Sequence, residues 1–358
     1  MGSSRTGGSH GDARTGAWAL EEARSTKKEV AAYVRELTER QVRTTATRVR
    51  PGVALGLTPL ADGGYGLAVR YRLGHPSARM VARRVAEQVG PAVDVRRTGR
   101  IRAVPGRDGV AAQSVGGPRP PVVTAQAAGE TGRVRPLRPG VSIAHVDVSA
   151  GTLGAFVSVG GRLHALSNYH VLVGSPSAAV GDAVLQPGPA DGGRDPRDRV
   201  GTLAAFVALT PGETARVDAA IALLDDDVVD LAYPAGPVTT TSPVRGAEEV
   251  EKVGRTTGVT RGRITAIELD DVVVGYGEEL GELSFDDQIE VEGLGSGPFS
   301  RGGDSGSLVY VPGRDGAAAT AVGLLFAGSE SGGENGTGLT YLNPIGAVLE
   351  ALEAELAG

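Results

Sequence analysis

The stretch Gly302-Gly303-Asp304-Ser305-Gly306-Ser307 limits the possible folds of this chain more than any other stretch does. It holds a serine hydroxyl in a glycine-rich turn, where the backbone can bend sharply, and an apolar strand pattern follows it. Gly303 has no side chain to obstruct the space in which a substrate oxygen would lie. The turn therefore predicts that Ser305 is a nucleophile and that the N–H groups of Gly303 and Ser305 form an oxyanion hole.

The order of the histidines limits which chemistry Ser305 can take part in. All five precede it in the chain: His10, His75, His145, His164 and His170. The order nucleophile, acid, histidine of α/β-hydrolases is therefore excluded, and Ser307 stands where the nucleophile turn of that fold has a glycine. The order histidine, acid, serine remains.

His170 is the predicted general base, because it lies where the apolar segment 163–166 gives way to a turn. The other four histidines are less suited to this role. His10 belongs to a Gly/Ser-rich tail, His75 precedes a proline, and His145 and His164 lie within strand patterns.

Asp218 is the predicted acid that orients His170. It opens the otherwise apolar segment 217–224, and a carboxylate buried there is costly unless it accepts hydrogen bonds. Accepting one from an imidazole would offset that cost and select the histidine tautomer. The neighbouring aspartates 225–227 form an acidic turn and are predicted to be solvated. A subtilisin-type order would need an acid before His170; Asp147 is the nearby candidate, but the alternating β/α pattern of that fold is missing.

The composition favours a loop-rich β protein. The chain has 358 residues, of which 41% are apolar and 4% aromatic, with 55 glycines and 21 prolines. It contains no cysteine, which excludes disulfides and thiolate metal sites and predicts a reducing compartment. Neither a leader pattern nor an apolar run of ~18 residues is present, so we expect a cytoplasmic protein with no membrane partner. No H-E-x-x-H pattern occurs, and no cofactor is expected.

Charge and pattern divide the chain into four predicted parts. Residues 1–107 hold 20 Lys+Arg and 9 Asp+Glu, whereas residues 108–358 hold 16 and 33, and this contrast indicates two modules. The predicted parts are a disordered tail (1–16), a basic α+β accessory domain (17–104), a Pro/Gly-rich linker (105–136) and an acidic body (137–358).

The local patterns within these parts are of two kinds. The basic domain shows a helix from about Trp18 to Thr45, a hairpin of 53–57 with 66–71, a second helix over 79–89 and one or two strands over 92–104. The body shows about a dozen short strands with glycine-bearing turns, which predicts an antiparallel all-β fold. A helix with Asn343 as its N-cap, Pro344 at its first position and its end at Leu356 is expected to close the chain.

Three segments resemble the signature segments of trypsin-like (chymotrypsin-fold) serine proteases: 167–170 (Ser-Asn-Tyr-His), 217–221 (Val-Asp-Ala-Ala-Ile) and 303–307 (Gly-Asp-Ser-Gly-Ser). The resemblance covers roughly residues 137–358. The cysteine-free body, with 254–258 (Gly-Arg-Thr-Thr-Gly) and Phe299-Ser300, is more narrowly similar to intracellular bacterial and plant trypsin-like proteins of the narrow-leaf type. The resemblance implies an all-β double β-barrel of two six-stranded barrels, with His170 and Asp218 on the first and Ser305 on the second. It also implies a serine endopeptidase.

The same resemblance assigns a substrate pocket. Phe299 stands where trypsin has an aspartate, with Ser300 beside it, so the pocket lacks a carboxylate for Arg or Lys and an apolar or small P1 side chain is expected. Phe326-Ala327-Gly328 is the strand expected to line the pocket and to pair with the substrate backbone. Asn168-Tyr169 stand where secreted members have two small residues, which implies a differently shaped first-barrel wall.

Several alternatives stay open at this level. The fold could carry a dormant binding module, or an esterase could use the same three residues. Asp304, which pairs with a new N-terminus in secreted relatives, could instead pair with an internal Lys or Arg, or the enzyme could be latent until it is cut within 105–140. The basic domain could dock on the acidic body, or bind a protein partner or a second copy through its long helix. Nucleic acid is its least favoured partner, because its arginines lack clustered aromatics.

Overall fold

The computed structural model describes residues 17–45, 52–61, 63–103, 128–314 and 317–358. The predicted tail 1–16, and residues 105–127 of the predicted linker, lie outside these ranges. The helices are α1 Leu20–Thr45, α2 Pro76–Val89, α3 Tyr169–Leu172 and α4 Ile345–Ala351, and a 3₁₀ turn covers Pro189–Asp191.

Most strands of the described residues are short, as glycine-bearing turns predict, but β16 has 13 residues and β21 has 11. In chain order they are β1 Val53–Pro59, β2 Tyr65–Arg72, β3 Val93–Thr98, β4 Ile101–Arg102, β5 Ser142–His145, β6 Gly151–Thr152, β7 Ala155–Val159, β8 Arg162–Ser167, β9 Ala183–Leu185, β10 Arg199–Phe206, β11 Thr214–Ala215, β12 Ala220–Leu224, β13 Ala232–Tyr233, β14 Gly236–Thr241, β15 Glu249–Gly254, β16 Gly258–Asp270, β17 Val272–Gly275, β18 Glu282–Phe285, β19 Gln288–Gly293, β20 Leu308–Val311, β21 Ala319–Ser329, β22 Leu339–Pro344 and β23 Glu355–Leu356.

The N-terminal elements form two helices on a three-stranded sheet. β1 and β2 pair as the predicted hairpin, and β3 lies parallel to β2. Apolar residues three or four positions apart on each helix face the sheet, as in Val30 with Val34 and Val81 with Val85. This face buries Leu67 of β2, which has no exposed surface.

The first sheet of the body runs in the order β23-β7-β8-β12-β10-β9-β5-β6, and neighbouring strands are antiparallel. Within the described residues its two end strands do not pair with each other, so the sheet forms a half-barrel. In β8 and β12, Ser167 lies opposite Ala220. Because His170 follows the end of β8 and Asp218 precedes the start of β12, this register brings the two residues to the same end of the sheet.

The second sheet closes on itself. β15 pairs with β16, β16 with β19, β19 with β22, β22 with β21, β21 with β20, and β20 with β15. Each strand has a partner on both sides, which removes the edges that an open sheet would expose. With the half-barrel beside it, this is the chymotrypsin-like double β-barrel, and the predicted fold class is confirmed.

The C-terminal helix is shorter than the pattern predicted. α4 ends at Ala351, and Glu353 has a left-handed φ of 49° that stops the helix. Leu356 then lies in β23, opposite Val157 of β7. The apolar residues predicted to form one helical stripe therefore belong to two elements: Val348 is buried in α4, and Leu356 is partly buried in β23.

The N-terminal elements are joined to the second barrel by strands and by charges. β1 pairs with β16, and β4 lies between β21 and β17. Arg70 forms an ion pair of 2.8 Å with Glu290, and the two side chains are 2% and 0% exposed. A second ion pair, of 2.6 Å, joins Arg96 to Glu292.

The described part of the predicted linker, residues 128–136, lies against the body. The N–H of Ala128 donates to the carbonyl of Thr256 at 2.9 Å, and the N–H of Val134 donates to Gln186 Oε1 at 3.0 Å. The division of the chain into domains stays a prediction.

Candidate active site

His170 and Asp218 form the centre of the site. His170 lies in the four-residue helix α3 and is 4% exposed, whereas Asp218 has no exposed surface. His170 Nδ1 is 2.6 Å from Asp218 Oδ2, and the backbone N–H of His170 donates to Oδ1 at 3.4 Å. Because a buried carboxylate needs donors, this contact places the imidazole proton on Nδ1 and leaves Nε2 as a base.

Two buried asparagines hold the backbone of Asp218. The N–H of Asp218 donates to Asn343 Oδ1 at 2.9 Å, and Asn168 Nδ2 donates to the carbonyl of Asp218 at 2.7 Å. The prediction that Asn343 caps the last helix is therefore wrong: the N-cap is Pro344, and it makes no side-chain capping bond. The amide of Asn343 is instead used to position the acid.

Tyr276 is a third partner of Asp218, and the sequence analysis missed it. Its hydroxyl donates to Asp218 Oδ2 at 2.6 Å, and its ring meets the ring of His170 edge-on at 5.9 Å. Burial first, and then the charge of Asp218, raise the pKa of Tyr276 well above its usual 10, so the phenol stays a donor. Tyr276 lies between two glycines in the loop after β17, where no pattern distinguished it.

Ser305 lies against the chain segment that leads to His170. Its carbonyl accepts the N–H of Thr152 at 2.8 Å, and Ser167 Oγ donates to the carbonyl of Thr152 at the same distance. Gly306 packs so closely here that a Cβ would lie 2.1 Å from Ser167 Oγ. Ser167 is three residues before His170, so the turn that holds Ser305 and the segment that leads to His170 are in contact.

The hydrogen bond between Ser305 and His170 is not formed. Nε2 of His170 is buried without a partner among the described residues, and Ser305 is 4% exposed. The structure thus joins His170 to Asp218 and brings the Ser305 turn beside them. Such bonds are often long in the absence of substrate.

Asp304 is held by an internal cation. Lys252 Nζ lies 3.3 Å from Asp304 Oδ2, and neither side chain is exposed. The carboxylate also accepts the N–H groups of Thr256 (2.9 Å), Thr257 (3.0 Å) and Arg301 (2.9 Å). Burial lowers the pKa of Lys252, and the charge of Asp304 partly opposes that shift. Of the two alternatives that the sequence left undecided for Asp304, this arrangement corresponds to the one in which an internal lysine or arginine pairs with it.

Gly303 has the backbone that the turn requires. Its φ is +93°, a region that side chains disfavour, and a Cβ would lie 2.4 Å from Thr256 Oγ1. Its carbonyl accepts a hydrogen bond from the hydroxyl of Thr152 at 2.8 Å. Among the described residues, no acceptor takes the N–H of Gly303 or of Ser305.

The residues assigned to the substrate pocket come from two segments of the second barrel that approach each other at Ser300 and Gly328, while Phe299 packs in one apolar cluster and Phe326 with Ala327 in another. Phe299 is 1% exposed within the barrel core, and Ser300 Oγ lies 2.7 Å from Thr340 Oγ1. A Cβ on Gly328 would lie 3.6 Å from Ser300 Oγ. The ring of Phe326 is buried 4.8 Å from that of Phe285, and the adjoining Ala327 is 2% exposed. Their role in binding substrate stays a prediction.

Residues 227–339 match the family described as the Nal1 C-terminal domain, which covers less than half of the chain. No curated protein matches the sequence. Among solved structures, Thermobifida fusca protease A is 20% identical, with a TM-score of 0.42 over 62% of this chain and 98% of that one. Nocardiopsis protease is 18% identical, with a TM-score of 0.44 over 62% and 99%. Cellulomonas bogoriensis chymotrypsin is 21% identical, with a TM-score of 0.41 over 62% and 98%. At this distance a shared fold does not establish a shared activity.

Within the described ranges, no helix has both the length and the apolar character that crossing a bilayer requires.

Proposed function

We propose that the protein is a serine endopeptidase with Ser305 as nucleophile, His170 as general base and Asp218 as the orienting acid. The observation that carries this proposal is the 2.6 Å contact between His170 Nδ1 and Asp218 Oδ2, which leaves Nε2 free beside the Ser305 turn. A buried imidazole with one nitrogen paired and the other unpaired is poised to accept a proton.

The reaction follows from these positions. Ser305 Oγ attacks the carbonyl carbon of the scissile bond, while His170 Nε2 takes the hydroxyl proton and later gives it to the leaving amine. Asp218 stabilises the imidazolium that forms in between. The N–H groups of Gly303 and Ser305 stabilise the oxyanion, and each such donor contributes roughly 3–4 kcal/mol in the transition state. Water then hydrolyses the acyl-enzyme by the same route.

The ion pair of Lys252 and Asp304 supports activity in an uncut chain. In this proposal Lys252 supplies the positive charge that a freed N-terminus supplies in secreted relatives. Intact-mass measurement of the labelled species tests it: Ser305-dependent labelling of the uncut mass, at whatever rate, supports the internal cation, whereas an uncut chain that is never labelled contradicts it.

The finer predictions belong to the same proposal. They are an apolar or small P1 side chain, the narrow-leaf subtype, a cytoplasmic location and docking of the basic domain on the acidic body. The ion pairs of Arg70 and Arg96 with Glu290 and Glu292 support the docking. A peptide-library cleavage profile tests the P1 prediction, and cleavage mainly after Arg or Lys contradicts it.

A fluorophosphonate probe tests the catalytic assignment, because it phosphonylates only an activated serine. The wild type should be labelled at Ser305, as located by peptide mapping, and Ser305→Ala should stay blank. A folded wild type that stays unlabelled under every condition would support a dormant binding module. Labelling together with turnover of esters but not of peptides would support the esterase.

A further inference from the structure

The C-terminal half of β21 is already paired on the side where substrate is expected. On one side Gly328 lies opposite Thr340 of β22, which is part of the closed barrel. On the other side it lies opposite Arg102 of β4, and Ser329 lies opposite Ile101. β4 comes from the N-terminal elements and is not a strand of the barrel.

The pairing extends beyond β4 in one continuous antiparallel register. Thr98 lies opposite Gly332, and the N–H of Gly99 donates to the carbonyl of Ser331 at 3.0 Å. Residues 98–102 therefore run antiparallel to residues 328–332. Antiparallel addition of an extended segment to a sheet edge is a general way of binding peptides, in which the main chain supplies the affinity.

The segment also ends beside the catalytic residues. The N–H of Ala103 donates to the carbonyl of Gly275 at 3.2 Å, and the next residue, Tyr276, donates to Asp218. Ala103 is 8% exposed and belongs to the same apolar cluster as Phe326 and Ala327, which are assigned to the substrate pocket.

From these contacts we infer that residues 98–103 occupy the backbone-binding edge of the proposed protease, so that the chain inhibits itself with its own strand. The inference rests on the proposed function and adds its regulation. Two observations agree with a closed site: Ser305 and His170 are each 4% exposed, and His170 Nε2 is buried with no partner in the part of the chain that the structure describes. A peptide substrate needs the same edge, so β4 has to leave before an extended substrate can bind.

Release of β4 does not require release of the whole N-terminal module. That module is held separately by the pairing of β1 with β16 and by the buried Arg70–Glu290 pair. The side chain of Arg102 is exposed, whereas Ile101 packs against the apolar cluster that contains Ala103, so a change at Arg102 acts mainly on the backbone pairing of β4. A substitution that removes only a backbone donor should therefore free β4 while the module stays attached.

The first experiment releases the strand. Arg102→Pro removes a backbone N–H and disfavours the pairing, whereas Arg102→Ala keeps the N–H and serves as the matched control. We expect Arg102→Pro to raise the rates of fluorophosphonate labelling and peptide cleavage at least about tenfold. Loss of the hydrogen bonds of a two-residue pair is expected to change the fraction of molecules with β4 released by about this factor. Arg102→Ala should stay within about twofold of the wild type.

The second experiment locks the strand. The chain has no cysteine, and Ile101 lies opposite Ser329, so Ile101→Cys with Ser329→Cys can form a single disulfide, since opposed antiparallel residues have suitable Cα separations. The oxidised form should cleave peptides at least about tenfold more slowly than the same protein after reduction. Each single cysteine variant controls for the substitution itself, since Ser329 Oγ accepts the N–H of Leu339.

The outcomes separate this inference from the proposed function. Suppose that Ser305-dependent labelling and cleavage are equal in the wild type, Arg102→Pro and the oxidised double variant. This result would overturn the inhibitory role of β4 and leave the proposed protease activity supported. Absence of labelling in all forms, including folded Arg102→Pro and the reduced double variant, would overturn both. Faster reaction on release together with slower reaction on locking supports the inference.

Discussion

Tyr276→Phe is the sharpest test of the site, because it removes one oxygen atom and leaves the ring packing. Asp218 Oδ2 accepts two bonds of 2.6 Å, one from His170 and one from Tyr276. Among the described residues, Oδ1 accepts only the 3.4 Å bond from the backbone of His170. Without the phenol, the buried carboxylate keeps a single short bond, the one that it must also use to orient the imidazole.

The magnitude follows from the type of bond that is lost. A hydrogen bond to a charged group contributes about 1.5–3 kcal/mol, which corresponds to a decrease of about 10- to 150-fold in reaction rate if the loss falls on the transition state. This is smaller than the ~10⁴-fold loss typical when the triad carboxylate itself is replaced, since Asp218 stays in place.

The assay is the second-order rate of fluorophosphonate labelling of Ser305, which needs no knowledge of the substrate. Tyr310→Phe is the matched control: Tyr310 is also buried and donates to a carboxylate, Glu251 Oε1 at 2.9 Å. Urea unfolding of both variants gives the change in stability. If Tyr276→Phe is destabilised like the control but is labelled within about twofold of the wild-type rate, Tyr276 only packs against His170 and the positioning argument fails.

Three further predictions follow from the residues around the site. Burial lowers the pKa of Lys252 below its usual 10.5, so raising the pH should remove the charge beside Asp304, and with it the labelling of Ser305, at a lower pH than an ordinary lysine would require. Lys252→Arg should shift this alkaline limit upward, and a pH profile that does not change would contradict the role of the Lys252–Asp304 ion pair. Gly303→Ala places a Cβ where φ is +93° and should slow labelling about a hundredfold, as loss of an oxyanion-hole donor does; retention of the full rate would show that the turn does not shape the hole. Asn343→Ala leaves the N–H of Asp218 without its acceptor and should lower the free energy of unfolding by about 1–3 kcal/mol, measured by urea titration, whereas an unchanged midpoint would mean that another acceptor replaces the amide.

The sequence was informative where chemistry depends on residue type and order. Ser305 was distinguished by the glycines around it, His170 by standing upstream at a strand end, and Asp218 by being a carboxylate in an apolar segment. The bond between His170 and Asp218 joins residues that were paired on these grounds alone. Short apolar runs between glycine turns predicted an antiparallel all-β body for a similar reason, whereas the double barrel itself was implied by the resemblance to chymotrypsin-fold proteases.

The partners of these residues were not predictable in the same way. Asp218 is contacted by Tyr276 and Asn343, and Asp304 by Lys252. These partners lie far away along the chain or, like Tyr276, in a segment with no recognisable pattern. Asn343 looked like a helix cap, because an asparagine before a proline favours that local role, and only the packed barrel shows that its amide is needed by a backbone N–H elsewhere. The last helix was predicted too long because an apolar stripe fits either a helix or an edge strand until its neighbour is known.

By itself, the sequence determined the general class of fold and predicted which residues carry the proposed chemistry, because both depend on local composition and on the order of residue types. Only the tertiary structure decided which donors hold Asp218, which cation neutralises Asp304 and which strand lies along β21. These contacts join residues tens to hundreds of positions apart, and backbone pairing such as that of residues 101–102 with 328–329 involves N–H and carbonyl groups that nearly every residue carries.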